Sequence, residues 1–297
     1  MADKKRVLLT GGSGFIGRNL LESPLAKKYE ILAPRHAELD LLDDYAVADY
    51  LERNSVSSII HAACKPGHRN AKDHSALFYS NTRMFFNLVA NSRRVEKIVF
   101  MGSGAAYDIR HYRPKMREDY FGVNIPADDY GFYKYVCGKY IEKTDNIVDL
   151  RVFGVFGKYE EAAIRFISNM ICKAVLDLPL TMKQNKKFDY IWVDDLSPIV
   201  DYCLDNKTAH RAYNVTPDNS VPLLDLARLV LQVAGKDLPI KVAVPGLGME
   251  YSGDNTLLKK EIKGLSFTPL GKAVNELYAW YSAGKSGLDR AIFLVDK

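Results

Sequence analysis

The stretch that decides the fold is Arg6-Val-Leu-Leu-Thr-Gly-Gly-Ser-Gly-Phe-Ile-Gly17, near the start of the 297-residue chain. The apolar run Arg6–Thr10 predicts a strand, and the helical spacing of apolar residues over Phe15–Leu25 predicts a helix. Gly11, Gly14 and Gly17 at the junction have the GxxGxxG spacing, which permits a tight turn and lets an anionic group approach bare backbone. The stretch therefore predicts a dinucleotide-binding loop, whose expected cofactor contacts are Gly11, Ser13, Gly14, Phe15, Ile16 and Gly17.

Apolar runs and segments of helical length alternate through the first half of the chain. The predicted strands after the first are Glu30–Ala33, Ser58–Ala63, Lys97–Met101 and Val148–Phe153. The predicted helices are Asp44–Arg53, Ser75–Arg93 and Tyr130–Glu142. Strands that alternate with helices indicate a parallel sheet covered on both faces. We therefore expect an α/β fold, with a Rossmann-type doubly wound parallel sheet and a smaller, mainly C-terminal α/β lobe for the substrate.

The regular alternation ends after about residue 157. A helix is predicted over Glu161–Leu176 and a strand over Tyr190–Val193, and Phe188–Val200 again has the pattern of a strand followed by a helix. We expect residues 1–160, with about 188–215, to form the cofactor-binding domain. The substrate-binding lobe is then expected over about 161–187 and 216–297.

Composition excludes several classes of function. The 41 basic and 36 acidic residues are scattered along the chain, which argues against a nucleic-acid partner. The four cysteines lack metal-ligand spacing, so we expect buried, reduced thiols and no metal site. The N-terminus runs directly into the first strand, and no apolar run has the length of a membrane span. We therefore expect a cytoplasmic protein that contacts no membrane.

The end of the second strand bears on the choice of cofactor. In dinucleotide-binding folds an acidic residue at this corner accepts the ribose hydroxyls of NAD. The sequence here is Ala33-Pro34-Arg35-His36, and two cationic side chains suit the 2′-phosphate of NADP. NADP(H) is therefore favoured over NAD(H), although Arg35 as an ordinary solvated residue is the alternative. Asp40 and Leu41 are expected on the adenine side.

An ordered set of motifs gives the chain a family resemblance. The stretches are TGGSGFIG (10–17), ELDLLDDYAV (38–47), IIHAAC (59–64), NTRMFFNLV (81–89), VFMGSGAAY (99–107), DYGFYK (129–134) and YIWVDDL (190–196). In this order they resemble the extended short-chain dehydrogenase/reductase family, also described as NAD-dependent epimerases and dehydratases, and in particular the nucleotide-sugar 4-ketoreductases similar to GDP-fucose synthase. The resemblance covers most of the first 200 residues and implies an enzyme that acts on a nucleotide sugar.

The chemistry of this family rests on a Tyr-x-x-x-Lys pattern, which occurs here as Tyr130 to Lys134. On a helix the two residues share a face, so the ammonium favours the ionised phenol and lowers its pKa. A second copy, Tyr135 to Lys139, has the same spacing, but Tyr130 follows an Asp-Asp pair that suits a helix start. The resemblance also implies that Ser103 hydrogen-bonds the substrate oxygen; capping a strand end is its alternative role.

Other site residues follow from the resemblance. Asn81 is expected to shape the active-site helix and the proton path, with an ordinary helix-surface asparagine as the alternative. Ala62, Ala63 and Cys64 are expected beside the cofactor, and Phe153 beside the nicotinamide, unless both segments are plain core strand. Tyr130 and Lys134 are expected to contact the cofactor as well, with Lys134 holding the ribose. The candidate substrate contacts are Lys65, Gly104, Ala105, Arg165, Lys187 and Arg211, with Lys183 and Lys186 as further candidates for the diphosphate.

The reaction is inferred from which acid–base groups accompany Ser103. Related dehydratases carry an Asp-Glu pair directly after this position, where the chain has Gly104-Ala105. The epimerising pair of the fucose synthases would correspond to Ala105 and Arg165, neither of which matches. We therefore expect NADPH-dependent reduction of a 4-keto sugar nucleotide. The alternatives are an NAD-dependent 4-epimerase and a non-catalytic NADP(H)-binding sensor. The resemblance also implies a homodimer through the helices over Ser75–Arg93 and Tyr130–Glu142.

Overall fold

The computed structural model describes residues 4–67, 71 and 73–294, so the outermost residues of both predicted domains, 1–3 and 295–297, lie outside the described residues. The strands are β1 Arg6–Thr10, β2 Glu30–Leu32, β3 Ser58–His61, β4 Lys97–Ser103, β5 Ile147–Val152, β6 Gly154–Phe156, β7 Leu180–Asn185, β8 Lys187–Phe188, β9 Tyr190–Trp192, β10 Ala212–Val215, β11 Val221–Pro222 and β12 Ile240–Leu247. The helices are α1 Phe15–Glu22, α2 Leu25–Lys28, α3 Asp44–Arg53, α4 Leu77–Ala90, α5 Asp129–Ile141, α6 Phe166–Val175, α7 Leu196–Asp205, α8 Leu223–Ala234, α9 Thr256–Glu261, α10 Leu270–Ala283 and α11 Arg290–Leu294.

A parallel sheet organises the larger part of the molecule. Within the described residues its order is β10-β5-β4-β3-β1-β2, and each adjacent pair runs parallel. The chain places β2 on one side of β1 and β3 on the other, so the direction of winding reverses beside β1. Ligands of such sheets bind outside the carboxyl ends of the strands at this reversal. The predicted fold class is confirmed.

Two apolar layers cover the sheet because side chains alternate along each strand. On β1, Val7 and Leu9 point into the layer that contains α1 and α7, whereas Leu8 points into the layer that contains α3, α4 and α5. All three side chains are fully buried. Because β1 is apolar on both faces, it requires helices on both sides of the sheet.

A separate apolar cluster holds the second lobe together. Helices α6, α8 and α10 pack on one another and on the parallel pair β7 and β12. One part of the predicted lobe does not belong to it. Helix α9 packs Leu258 against the core of the main sheet, and Glu261 accepts a hydrogen bond from Tyr213 of β10 at 2.6 Å. Residues 256–267 therefore pack on the core of the main sheet, although they fall within the bounds expected for the substrate-binding lobe, about 161–187 and 216–297.

Several helix boundaries differ from the prediction for local reasons. The helix expected over Phe15–Leu25 ends at Glu22, because Pro24 interrupts the pattern and a second short helix starts at Leu25. Helix α6 begins at Phe166 rather than Glu161. Within the described part of the chain, no helix is long and apolar enough to cross a membrane.

Candidate active site

The glycine loop joins β1 to α1 with backbone that excludes side chains. Gly11 has φ +73°, and a Cβ there would lie 2.6 Å from the nitrogen of Ala63. A Cβ on Gly17 would lie 2.1 Å from the carbonyl oxygen of Gly11, so α1 packs directly on the loop. Helix α1 starts after Gly14, which caps it with backbone alone. This bare loop and the N–H groups of the first turn fit a dinucleotide pyrophosphate.

The cofactor corner after β2 holds charges of both signs. Arg35 and His36 are exposed, as two residues that meet a 2′-phosphate need to be. Glu38 folds back, and its carboxylate accepts the Arg35 backbone N–H at 2.7 Å. The His36 Nδ1 lies 3.7 Å from an oxygen of Asp40. The corner therefore contains an acid, Glu38, in addition to the two cationic side chains expected there.

The segment after β3 is fixed by Asn81. This side chain is buried on α4, where its Oδ1 accepts the Lys65 N–H at 2.7 Å and its Nδ2 donates to the Lys65 carbonyl at 3.1 Å. Asn81 is therefore not an ordinary surface asparagine. Its two hydrogen bonds hold the backbone of Lys65 in place, close to Ala62 and Ala63, which are half-buried at the edge of the glycine loop.

Cys64 differs from the other cysteines. Cys137, Cys172 and Cys203 are buried as expected, but Cys64 is exposed, which corrects the prediction that all four thiols are buried. Its sulfur accepts a hydrogen bond from the Tyr133 hydroxyl at 3.3 Å. The thiol therefore lies on the face of α5 that carries the predicted catalytic residues.

Tyr130 lies in the first turn of α5. Asp128 caps this helix by accepting the Gly131 N–H at 2.8 Å. A Cβ on Gly131 would lie 2.7 Å from the Ala105 carbonyl, so the turn after Ser103 packs closely on the start of α5. Burial and the neighbouring Cys64 raise the pKa of Tyr130 above its usual value, whereas Arg165 and a hydrogen bond with Ser103 act in the opposite direction.

Lys134 lies one turn further along α5 and is buried. Its Nζ donates to the Met101 carbonyl on β4 at 2.5 Å and lies 4.5 Å from the centre of the Phe100 ring. Burial lowers the pKa of this ammonium. The second Tyr-x-x-x-Lys copy is elsewhere, because Tyr135 packs on Phe121 at 5.3 Å and Lys139 pairs with Glu142. The packing of α5 on the end of β4 thus brings Tyr130 and Lys134 close to Ser103, as the sequence predicts.

Two tyrosines that no sequence motif indicates, Tyr112 and Tyr251, cover the turn after Ser103. The Tyr112 hydroxyl donates to the Gly104 carbonyl at 2.5 Å, and its ring lies 4.9 Å from that of Tyr251. A Cβ on Gly104 would lie 2.4 Å from the Tyr251 hydroxyl and against the ring of Phe153. Tyr251 lies far along the chain from Ser103 and outside any motif, so only the fold reveals it.

The predicted substrate contacts do not all reach this site. Arg165 is exposed, and its charge acts on Tyr130, which places it nearby. The Lys187 carbonyl accepts the Tyr251 N–H at 2.9 Å, so Lys187 is the strand neighbour of Tyr251. The Lys65 ammonium is bonded to Asp73 at 2.5 Å, within its own loop.

Arg211, Lys183 and Lys186 lie in other parts of the molecule. Arg211 precedes β10 at the amino edge of the sheet and pairs with Asp145, so it lies at the opposite edge from the glycine loop and is not part of the site. Lys183 and Lys186 lie on or beside β7 in the second lobe. Their predicted diphosphate contacts stay predictions.

A parallel sheet with a glycine loop at its carboxyl edge and a serine, tyrosine and lysine beside that loop defines an extended short-chain dehydrogenase/reductase. Residues 7–216 match the NAD dependent epimerase/dehydratase family. The chain belongs to that family and is an enzyme of it.

Individual relatives agree with this assignment. The GDP-L-colitose synthase of Yersinia pseudotuberculosis is 25% identical over 226 residues, which cover 68% of this chain and 73% of that protein. The UDP-glucose 4-epimerase of Bacillus subtilis is 24% identical over 96% of this chain and 99% of that protein. The GDP-mannoheptose C4 reductase of Campylobacter jejuni, solved with NADP bound, has the same fold, with a TM-score of 0.80, 18% identity and coverage of 95% and 99%.

Proposed function

We propose that the enzyme reduces the 4-keto group of a nucleoside-diphosphate 4-keto-(6-deoxy)sugar, with NADPH as reductant. The proposal rests on the approach of Ser103, Tyr130 and Lys134 to one another at the carboxyl edge of the sheet, which also carries the glycine loop, and on Gly104 and Ala105 following Ser103. This set can move one proton to a carbonyl oxygen. The turn itself supplies no carboxylate or thiol for a second acid–base step. Net reduction therefore fits the site better than dehydration or 3,5-epimerisation.

Each side chain has a role in this proposal. NADPH, when bound, supplies the hydride that forms the new C–H bond at C4. Tyr130 donates its phenolic proton to the carbonyl oxygen and later regains one from solvent. Ser103 hydrogen-bonds the same oxygen, and Lys134 stabilises the phenolate that forms. Burial raises the pKa of Tyr130 and so opposes the lowering that is expected from the Lys134 ammonium.

The cofactor preference rests on the corner after β2. The exposed Arg35 and His36 support NADPH, since a guanidinium forms charge-assisted hydrogen bonds to phosphate. Glu38 supports the second candidate, an NAD-dependent 4-epimerase, because a carboxylate at this corner suits free ribose hydroxyls. A curated relative over nearly the whole chain is a UDP-glucose 4-epimerase, which also favours this second candidate.

One experiment separates the two candidates. The purified enzyme is given NADPH and, in turn, the GDP-, CDP-, UDP- and dTDP-linked 4-keto-6-deoxy sugars, and loss of NADPH absorbance is followed. We expect oxidation of NADPH with at least one of them. A lack of oxidation with every 4-keto sugar, together with interconversion of UDP-glucose and UDP-galactose in the presence of NAD, would establish the epimerase instead.

A homodimer through α4 and α5 accompanies the proposed function. Both helices leave aromatic side chains uncovered, with Tyr79 63%, Phe132 37% and Tyr140 40% exposed. The Phe78 and Phe132 rings stack across the two helices at 5.0 Å, so the surface is continuous. Exposed apolar patches of this kind are typical of interfaces.

A further inference from the structure

The Lys134 ammonium needs a counter-charge that the catalytic residues do not provide. Its side chain is buried, with 4% of the residue exposed, and its hydrogen bond goes to the neutral carbonyl of Met101. The rings of Phe100 and Tyr133 lie 4.5 and 4.9 Å away and attract the ammonium by cation–π interaction, but they carry no net negative charge. A buried cation is unfavourable unless a negative group balances it.

Asp149 lies on β5 in the position to supply that charge. It pairs in register with Phe100, and its side chain is buried on the α5 face of the sheet. Two glycines leave room for the carboxylate. A Cβ on Gly102 would lie 1.8 Å from Oδ1, and a Cβ on Gly138 would lie 3.3 Å from Oδ2. The carboxylate is therefore enclosed between β4 and α5.

The two glycines also locate this carboxylate relative to Lys134. Gly102 directly follows Met101, whose carbonyl accepts the Lys134 hydrogen bond, and Gly138 lies one helical turn after Lys134. The carboxylate therefore lies against Gly102 and the ammonium against the preceding carbonyl of Met101, and the two charges act on each other without a direct ion pair.

Arg151 occupies only one oxygen of Asp149. Its Nε donates to Oδ2 at 2.9 Å, while its guanidinium lies 3.7 Å over the Phe121 ring and donates to the Tyr107 hydroxyl at 3.1 Å. Oδ1 is buried, and among the described residues it has no hydrogen-bond partner. The ion pair with Arg151 does not explain why Oδ1 faces β4 at Gly102, since that pair uses only Oδ2.

We propose that Asp149 is a positioning residue for Lys134, whose carboxylate holds the buried ammonium charged and in place against β4. The inference rests on the proposed function, because it matters for the reaction only if Lys134 stabilises the Tyr130 phenolate. Asp149 acts through Lys134 and does not touch the substrate.

Other groups around Lys134 do not replace this charge. His61 and Cys64 face it from β3 and the segment that follows, and Tyr130, Tyr133 and Cys137 from its own helix. Burial and the Lys134 charge lower the pKa of His61 to about 3, so this ring is neutral. Burial raises the pKa of the Cys137 thiol, which is neutral as well. Burial lowers the pKa of Lys134, whereas Cys64, Cys137 and then Asp149 raise it, and Asp149 is the carboxyl among these three groups.

The test measures the protonation of Lys134 directly. Isotope-labelled lysine side chains are titrated by NMR, where the rings around Lys134 displace its signal and Lys134→Met assigns it. In Asp149→Asn we expect the pKa of Lys134 to fall by about 1–3 units, because an opposite charge is lost and Arg151 remains. The control is Asp145→Asn, an exposed carboxylate at the far edge of the sheet, which should leave the titration unchanged. An unchanged Lys134 titration in Asp149→Asn overturns the proposal.

A second variant covers the risk that Asp149→Asn does not fold. Asp149→Leu with Arg151→Met replaces the buried pair by apolar side chains, an exchange that proteins often tolerate. The pKa of Lys134 should again fall, and a wild-type titration in this folded variant also overturns the proposal. Neither titration uses a substrate, so the result for Asp149 can be interpreted even if the proposed reductase function proves wrong. Where a 4-keto sugar is reduced, the alkaline limb of kcat/KM should move to lower pH in Asp149→Asn.

Discussion

Tyr130 and Tyr135 both begin a Tyr-x-x-x-Lys pattern, but they lie on different faces of α5. We expect Tyr130→Phe to lower kcat by roughly 10²–10⁴-fold, the usual contribution of a positioned proton donor. NADPH binding should be unchanged, since the ring stays in place. The measurement is steady-state kinetics with the 4-keto sugar nucleotide identified as substrate, together with cofactor fluorescence.

The matched control for this substitution is Tyr135→Phe. The Tyr135 ring packs on Phe121 and Phe132, away from Ser103, so its hydroxyl should be dispensable. Full activity in Tyr130→Phe would remove Tyr130 as the proton donor. A wild-type cellular phenotype in that variant would support the NADP(H) sensor.

Arg35 provides a test of cofactor choice. Arg35→Ala should weaken NADPH binding by about 10- to 100-fold, because a hydrogen bond to a charged group contributes roughly 1.5–3 kcal/mol. NADH binding should stay the same, since NADH lacks the 2′-phosphate. Titration calorimetry with both cofactors measures the difference. Arg94→Ala, which removes an exposed arginine that pairs with Glu52, serves as the control. Equal affinity changes for NADPH and NADH would show that Arg35 does not read the phosphate.

At the scale of elements, the start of α5 couples stability to catalysis. Asp128→Ala removes a helix cap and should cost about 1 kcal/mol of unfolding free energy. Since Tyr130 lies in the first turn, kcat should fall as well, and Asp128→Ser should restore both. Thermal unfolding and kinetics are the measurements.

The matched control is another capped helix. Asp43 caps α3 by accepting the Ala46 N–H at 3.0 Å, far from the catalytic residues. Asp43→Ala should lower Tm by a similar amount and leave kcat unchanged. If both cap variants affect kcat equally, the position of Tyr130 does not depend on the start of α5.

The sequence predicts elements where local pattern and tertiary structure agree. The predicted strand ends at β1, β3 and β5 differ from the observed ones by at most two residues, because apolar periodicity and flanking glycines define them. Ser103, Tyr130 and Lys134 were placed by motif. No motif predicts the roles of four other residues, Glu38, Tyr112, Tyr251 and Asp149. Their contacts form only when the fold brings separate segments together or turns the chain back on itself.

At the scale of the whole molecule, the C-terminal segments cross between the two cores. Tyr251 reaches the turn at Gly104, and residues 256–267 then return to the sheet before α10 enters the second lobe. Hydrophobic patterning alone does not tell which core a helix joins, so the sequence did not reveal that residues 256–267 pack on the sheet core. The site is thus built from both ends of the chain.

The second lobe contains a buried carboxyl that should make stability depend on pH. Glu160 is 7% exposed, and its Oε1 accepts a hydrogen bond from Ser168 on α6. Its Oε2, like the nearby Tyr281 hydroxyl on α10, has no hydrogen-bond partner among the described residues. Burial raises the pKa of Glu160 from 4.5 to about 7. The folded state therefore binds the proton more tightly than the unfolded state does.

From this direction of shift, stability should fall as pH rises from about 4.5 to about 7, because the folded chain must release a proton that the unfolded chain has already lost. Glu160→Gln removes this ionisation. The variant should match the wild type near pH 4.5 and exceed it above pH 7 by up to about 3 kcal/mol. Urea unfolding across this range measures the difference, with the exposed Glu276→Gln on α10 as control. Parallel pH profiles for the wild type and Glu160→Gln would mean that Glu160 stays ionised in the folded lobe, with its second oxygen solvated through a path between α6 and α10.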